Sequence, residues 1–238
     1  MVIGLSVGSS AKLFSRRDIV MVAYSVEFIR SDMTIVAIPA LPCGNLASVA
    51  RMVEYVGGIP RIASSPAELA GADRVIIAGV GAFDQGMSSI RAGGWEAALN
   101  DLRLRGVPLL GICLGMQLLL ERSEEGLLPG LGWLRGSVVR FRIDPASGLK
   151  VPHMGWSTIQ VQRENPIIDA SDPDQRFYFV HSYHAECEDP DDVIATAVHG
   201  FEFTAVVGRG NVMGAQFHPE KSHRYGMALV RRFLEMRT

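Results

Sequence analysis

The sequence predicts an α/β fold with a mostly parallel central sheet flanked by helices, and with antiparallel or mixed strands in its C-terminal half. Short apolar runs alternate with longer amphipathic segments from residue 33 onward. Strands separated by helices in this rhythm pair in parallel and carry helices on both faces. The chain has 238 residues, of which 48% are hydrophobic and 20% charged. It is therefore long enough for one large core and too apolar for extensive disorder.

The first half of the chain supplies the alternating elements. Apolar residues at helical spacing predict a helix at 46–56, which ends at Gly57 and Gly58. The compact apolar run at 74–78 predicts a buried strand before a glycine-rich turn. The other expected elements are strands at 34–38, 60–63 and 107–112, a short helix at 66–70, and helices at 95–104 and 114–121.

The second half has a different texture, because glycine and proline become frequent after Gly126 and short strand-like runs follow one another. These runs predict an antiparallel or mixed extension of the same sheet. They lie at 137–143, 157–161, 177–180, 193–198, 204–207 and 212–216, and a terminal amphipathic helix is expected at 225–236. No repeat or polar linker divides the chain, so residues 33–238 are expected to form one domain.

Residues 1–32 form an N-terminal extension that we expect to lie outside the core. This segment lacks a basic stretch before its apolar part, and Arg16, Arg17 and Asp18 interrupt it, so it is a poor targeting signal. Met33 begins a strand-like run, as a first residue often does, which is what a start codon placed too early would produce. No apolar run reaches the roughly 18 residues needed to span a bilayer.

Composition excludes several classes of partner and cofactor. The net charge of −2 and the pI near 6.3 give no electrostatic case for binding nucleic acid or an anionic membrane. The six histidines lack the paired spacing of a zinc site, and no other cofactor is expected. Three unpaired cysteines, Cys43, Cys113 and Cys187, are poor material for a disulfide framework and indicate a reducing cytoplasm.

Cys113 is the strongest local signal for chemistry. An apolar strand precedes it, a helix is expected directly after it, and Gly111 and Gly115 flank it two positions away on either side. This arrangement is typical of a nucleophile elbow, here with sulfur in place of a serine oxygen. The start of a helix would favour the thiolate, and the Leu114 N–H would be available to an oxyanion. A buried, inert cysteine in a glycine-rich turn is the alternative.

His218 is the best candidate for the base. It lies where an apolar strand meets Pro219, which cannot continue a ladder, so His218 falls at the end of that strand. Glu220 follows two residues later and can fold back to one imidazole nitrogen, which would fix the tautomer and stabilise the imidazolium. The alternative is a surface turn without function. The long separation from Cys113 is normal, since triads assemble in space.

The elbow GICLGMQ at 111–117 and QFHPE at 216–220 resemble the class I, or triad-type, glutamine amidotransferases, whose domain is flavodoxin-like. From about residue 33 to the end, the chain is similar to the glutaminase subunits of imidazole glycerol phosphate synthase, an enzyme of histidine biosynthesis. The segments that carry this closer resemblance are GVGAF at 79–83, SEEG at 123–126, VRF at 139–141, VPHMGW at 151–156, FVHSY at 179–183 and PEKS at 219–222.

The resemblance implies a role for each matching residue. Cys113 would be the nucleophile, His218 the base and then the acid, and Glu220 the orienting carboxylate. Backbone N–H groups at Val80 or Gly81 and at Leu114 would form the oxyanion hole. Residues implied at the amino-acid end of glutamine are Gln117, Ser182 and Tyr183, and residues implied near the partner interface are Pro152, His153, Met154, Gly155, Trp156 and Lys221.

The resemblance also implies the reaction and the partner. Glutamine would be hydrolysed to glutamate and ammonia, and a (β/α)8-barrel cyclase in a heterodimer would receive the ammonia and form the imidazole ring. Two departures from the family pattern stand out. ALPCGN at 40–45 replaces the usual Asp-Tyr-Gly-x-Gly-Asn, and Ala78 replaces the proline that opens the oxyanion loop. A less rigid loop is expected to change hydrolysis in the absence of the partner.

Three other functions stay open at this point. Trp133, His184 and His223 resemble a paralogous branch that supplies ammonia for sugar amidation in surface-polysaccharide synthesis. A thiol peptidase or related hydrolase could use a similar elbow, but the Gln117 and FVHSY matches weigh against it. A non-catalytic binding subunit is the third alternative, and the intact set of Cys113, His218 and Glu220 weighs against that.

Overall fold

A computed structural model describes residues 33–42 and 45–236. The expected extension at residues 1–32 lies outside the described residues, as do Cys43 and Gly44. The helices are α1 (Leu46–Tyr55), α2 (Phe83–Ala92), α3 (Trp95–Leu104), α4 (Leu114–Gln117) and α5 (His223–Glu235). The strands are β1 (Ile35–Pro39), β2 (Ile59–Ala63), β3 (Arg74–Gly79), β4 (Leu109–Cys113), β5 (Arg122–Ser123), β6 (Gly136–Arg140), β7 (His153–Val161), β8 (Arg176–His181), β9 (Tyr183–Cys187), β10 (Val193–His199), β11 (Phe201–Arg209) and β12 (Val212–Ala215).

One mixed sheet organises the domain, in the order β2-β1-β3-β4-β12-β11-β10-β7-β8. Strands β2, β1, β3, β4 and β12 pair in parallel, whereas the pairs from β12 onward to β8 are antiparallel. Strand β9 branches from β11 and pairs with β6, which pairs with β5. The predicted fold class, parallel first and antiparallel or mixed later, is confirmed.

The parallel strands are buried on both faces, which explains their continuous apolar runs. Side chains alternate between two cores: Ile76 on β3 packs in the core that contains residues of α1 and α5, and its neighbour Ile77 packs in the core that contains residues of α2 and α3. Alternation along each strand is the two-residue period of the β conformation. Helices therefore cover both faces of the sheet, as the sequence predicts.

Helix α2 and strand β9 are not predicted from the sequence. In α2 the buried residues Phe83, Met87 and Ile90 have helical spacing, but Gly86 interrupts the pattern in the middle of the helix. A Cβ at Gly86 would lie 3.1 Å from side-chain atoms of Leu118, so the glycine is there for close packing. The periodicity was present, and the low helix propensity of glycine concealed it.

The helix after Cys113 is shorter than predicted. It ends at Gln117, whereas the apolar pattern predicts a helix at 114–121. The reason is tertiary: the carbonyl oxygens of Leu118 to Leu120 accept hydrogen bonds from backbone N–H groups of residues 131–134 at 2.9–3.1 Å. The Glu121 N–H, which a helix to residue 121 would pair with the Gln117 carbonyl, donates instead to the Gly136 carbonyl over 3.3 Å. Strand β7, by contrast, begins four residues before the predicted start, at His153.

We expect Phe217→Ala to lower the free energy of unfolding by about 3–5 kcal/mol, because truncating a buried aromatic ring leaves a cavity. Phe217 is fully buried and stacks on Phe177 with ring centroids 3.9 Å apart. Leu127→Ala is the matched control, since Leu127 is 97% exposed and its loss should change stability by less than about 0.5 kcal/mol. Urea denaturation measures both, and equal effects would contradict this account of the core.

Candidate active site

Cys113 has an unusual backbone conformation at the point where β4 ends and α4 begins. Its φ is 54° and its ψ is −109°, a region that costs a side-chain-bearing residue about 1–3 kcal/mol. The flanking glycines, Gly111 and Gly115, are required for close packing of the backbone. A Cβ at Gly115 would lie 1.8 Å from the carbonyl oxygen of Ile77, and one at Gly111 would lie 2.5 Å from the carbonyl oxygen of Gly115. The glycines let backbones approach, and Cys113 itself makes the sharp turn.

In this structure a helix dipole contributes little to the stabilisation of a negative charge at Cys113, contrary to the expectation from the sequence. A dipole effect requires aligned peptide units, and α4 has only four residues. Two nearby groups take its place. Nε2 of Gln216 donates to Sγ of Cys113 over 3.8 Å, and His218 lies beside the same sulfur. Gln216 is fully buried, so this donor is held without competition from water.

His218 and Glu220 form a buried pair directly after β12. Nδ1 of His218 donates to Oε1 of Glu220 over 2.8 Å, and each side chain is only 2% exposed. Pro219 opens a single 3-10 turn, Pro219–Lys221, that folds Glu220 back toward the ring. Since Nδ1 carries this hydrogen, Nε2 is the ring atom left to exchange a proton with a substrate.

Opposing effects set the protonation of His218. Burial by itself lowers its pKa, but its interactions with Cys113 and with Glu220 outweigh burial and raise the pKa to about 9. Among the described residues, Nε2 of His218 has no partner with good hydrogen-bond geometry. We therefore attribute the effect of Cys113 on the pKa of His218 to the proximity of the sulfur rather than to a formed hydrogen bond. At neutral pH the imidazolium is favoured.

A cleft of about 540 Å³ opens over these groups. Ten of the residues singled out in the sequence line it: Val80, Gly81, Cys113, Leu114, Gln117, Pro152, Ser182, Tyr183, His218 and Lys221. Glu220 lies behind His218, and His153 is buried. Met154 and Trp156 do not line the cleft and are 62% and 45% exposed, while Gly155 between them is partly buried.

Gln117 links the cleft to its surroundings. Its Nε2 donates to the carbonyl oxygen of Tyr183 over 3.2 Å and to Oε1 of Gln216 over 3.0 Å. Gln216 in turn donates to Cys113, so both amides have fixed orientations. Gln216 belongs to the QFHPE motif, but the sequence predicted no role for it. The available signal was a polar side chain at the end of an apolar strand, two residues before His218.

Glu125 is a second residue that the sequence reasoning missed. It lines the cleft, and among the described lining residues its carboxylate is the one acidic group. Oε2 accepts the backbone N–H of Phe83 over 2.9 Å, which ties it to the loop that contains Val80 and Gly81. A carboxylate in this place fits a cationic amino group on a ligand. Its position within the SEEG segment was the only hint.

A match to a protein-family model identifies the family of this chain. The model of the class-I glutamine amidotransferases matches residues 45–236. The chain belongs to this family. No helix among the described residues is long and apolar enough to cross a membrane.

Named relatives within the family narrow the assignment. The imidazole glycerol phosphate synthase subunit HisH 2 of Pseudomonas aeruginosa is 45% identical over 194 residues, which cover 81% of this chain and 95% of that protein. The HisH subunit of Thermosynechococcus vestitus is 43% identical over 203 residues, 84% of this chain and 96% of that protein. These relatives favour the HisH group and do not favour the surface-polysaccharide hypothesis.

Two solved structures agree with the fold. The structure of PurLQS from Thermotoga maritima superposes with a TM-score of 0.67 at 20% identity, covering 85% of this chain and 98% of that chain. A crystal structure of a glutamine amidotransferase superposes with a TM-score of 0.62 at 21% identity, covering 84% of this chain and 97% of that chain. At these identities the likeness concerns the architecture of this amidotransferase domain.

The raised pKa of His218 predicts a pH window for stability. The folded protein holds the proton up to a pKa of about 9, above the ordinary 6.5. The stabilisation is therefore complete below 6.5, declines as the pH rises, and is lost above about 9. Urea unfolding of the wild type and of His218→Gln should differ more at about pH 6 than at about pH 9.5. A difference that does not change with pH would refute the raised pKa.

Proposed function

We propose that this amidotransferase hydrolyses glutamine to glutamate and ammonia, and that it delivers the ammonia to a (β/α)8-barrel cyclase partner that forms imidazole glycerol phosphate in histidine biosynthesis. The observation that carries the proposal is the convergence of the Cys113 thiol and the His218–Glu220 pair at one cleft. The named HisH relatives support the pathway. The free thiols of Cys113 and Cys187 fit a reducing cytoplasm.

In the first half of the proposed reaction, the Cys113 thiolate attacks the side-chain amide carbon of glutamine. The carbonyl oxygen becomes an oxyanion, for which the N–H of Leu114 at the start of α4 and an N–H at Val80 or Gly81 are the backbone donors that we assign. The carbon–nitrogen bond then breaks. The His218 imidazolium gives its Nε2 proton to the departing nitrogen, which leaves as ammonia.

In the second half, His218 is neutral and acts as a base. It takes a proton from water, and the hydroxide attacks the thioester carbon. Collapse of the second tetrahedral intermediate releases glutamate and restores the Cys113 thiolate beside the His218 imidazolium. Glu220 accepts the Nδ1 hydrogen throughout and stabilises the imidazolium each time it forms. The atoms balance as one water consumed and one ammonia released.

The cleft offers complementary groups for the amino-acid end of glutamine. The Glu125 carboxylate would face the α-ammonium group, and Gln117 with the backbone at Ser182 and Tyr183 would hold the remainder. These groups lie on three separate segments that line the same cleft as Cys113. The arrangement would select a free amino acid with an amide side chain over a peptide. The contact with Glu125 requires a free α-amino group, which an internal residue of a peptide lacks.

The proposed partner surface adjoins the cleft. Pro152 and Lys221 line the cleft, and the exposed Met154 and Trp156 continue outward along β7. The Trp156 ring stacks on His223 with centroids 5.5 Å apart and planes 10° apart, so it is held in one orientation while exposed. Rigid exposed aromatic residues are typical of interface anchors. Ammonia would cross at this edge.

We expect Cys113→Ala to abolish glutamine hydrolysis, with a loss of about 10⁴-fold or more, because no other group can form the thioester. The complex with the cyclase should still form product from added ammonium salts. Cys187→Ala is the matched control, since Cys187 is a free thiol outside the cleft. A Cys113→Ala complex that keeps its glutamine-dependent rate would overturn the proposal.

We expect Trp156→Ala to weaken binding of the cyclase by about tenfold to a hundredfold, the range for an aromatic interface anchor. Titration calorimetry measures the dissociation constant. Leu104→Ala controls for loss of exposed apolar surface, because Leu104 is 76% exposed on α3 and does not line the cleft. Equal affinities for the two variants would rule out this surface.

A further inference from the structure

Four groups form a hydrogen-bond chain whose direction is fixed by the carbonyl at its end. The Tyr183 carbonyl oxygen only accepts, so Nδ1 of His181, at 2.8 Å, must donate. In the neutral ring Nε2 of His181 is then an acceptor, and Nδ1 of His153, at 3.1 Å, must donate to it. Nε2 of His153 therefore accepts from the hydroxyl of Ser157 at 3.0 Å.

Both rings are kept in this neutral form. Burial, with a smaller effect from His199, lowers the pKa of His153 to about 4. Burial also lowers the pKa of His181 to about 3, against the opposing effect of the Tyr183 carbonyl. The ring of His153 is held between His199 and Phe179, with centroids 4.3 and 4.9 Å away. No group of three metal-ligating side chains occurs in the part of the chain that the structure describes.

The hydrogen-bond chain continues beyond the Tyr183 carbonyl. The same carbonyl oxygen accepts from Gln117, whose other N–H donates to Gln216, and Gln216 donates to the Cys113 sulfur. The Tyr183 carbonyl accepts from both His181 and Gln117, so this one oxygen joins the two side chains. The first member, Ser157, lies on β7 next to the exposed Trp156. The last is the nucleophile.

We propose that His153, His181 and Gln216 are positioning residues, and that the hydrogen-bond chain from Ser157 to Cys113 couples strand β7 to the nucleophile. The inference rests on the proposed function, since it gives this hydrogen-bond chain a role in glutamine hydrolysis. It goes further in naming the route by which a displacement of the outer strand reaches the sulfur. The two ring nitrogens of each histidine serve as one donor and one acceptor, which is what a directed chain requires.

The first test uses two substitutions at His181, assayed in the complex with the cyclase. His181→Phe keeps the ring volume but removes both hydrogen bonds, and we expect kcat/KM for glutamine to fall about fivefold, the effect of one neutral hydrogen bond. His181→Asn retains an N–H near the position of Nδ1, and we expect recovery to within about twofold of the wild type. If Asn performs no better than Phe, the chain has no positioning role.

The second test asks whether the two ends are connected. Ser157→Ala should lower kcat/KM by about twofold to threefold in the wild type and have no effect when His181 is already Phe. Thr158→Ala is the matched control, because the neighbouring residue on β7 points to the other face of the sheet. Effects that multiply in the double variant would refute the coupling. Ser157 is only partly buried, so the single variant Ser157→Ala can still be assayed if His181→Phe does not fold, and an unchanged kcat/KM would then refute the coupling.

A third measurement tests the hydrogen-bond chain independently of the proposed function. Iodoacetamide alkylates a thiolate without glutamine recognition, and mass spectrometry of the peptide that contains Cys113 gives its rate. Gln216→Leu should slow this alkylation about fivefold, because the sulfur loses its amide donor. Wild-type protein that does not hydrolyse glutamine would refute the proposed function alone. An unchanged alkylation rate in Gln216→Leu would refute the coupling alone.

Discussion

Parallel pairing of β4 with both β3 and β12 is the constraint on which the site depends. The register places Gly79 opposite Cys113 on one side and Ala215 opposite Ile112 on the other. Because carboxyl ends of parallel strands meet at one edge, the loop after β3, Cys113 and His218 all emerge there. A shift of β12 by one residue would turn the strand's side chains to the opposite faces and move His218 away from the sulfur.

Electrostatic support for the site comes from side chains brought in by that sheet. Glu220 is held by a single turn after β12, and Gln216 reaches the sulfur from the same connection. A charge pair so deeply buried is costly to desolvate, and it persists because each member has a partner. The strain at Cys113 is a second cost carried by the fold, and extensive burial of apolar side chains on both faces of the sheet offsets it.

Local features of the site could be predicted from the sequence, and long-range ones could not. The strand, the glycines around Cys113 and the His-Pro-Glu turn each involve neighbours in sequence, so spacing reveals them. The extent of α4 depends on backbone donors from residues 131–134, and the roles of Gln216 and Glu125 depend on atoms far away along the chain. A polar residue at the end of an apolar strand looks the same whether it touches solvent or a nucleophile.

The positive φ of Cys113 has a consequence for the evolution of the chain. Glycine is the residue that adopts such a conformation most readily, so selection for stability alone would favour glycine at this position. Under the proposed function, a thiol at this position is a case in which activity and stability favour different residues. Thermostable descendants of this protein would have to gain their stability elsewhere, in the two cores and the loops, while this turn stays as it is.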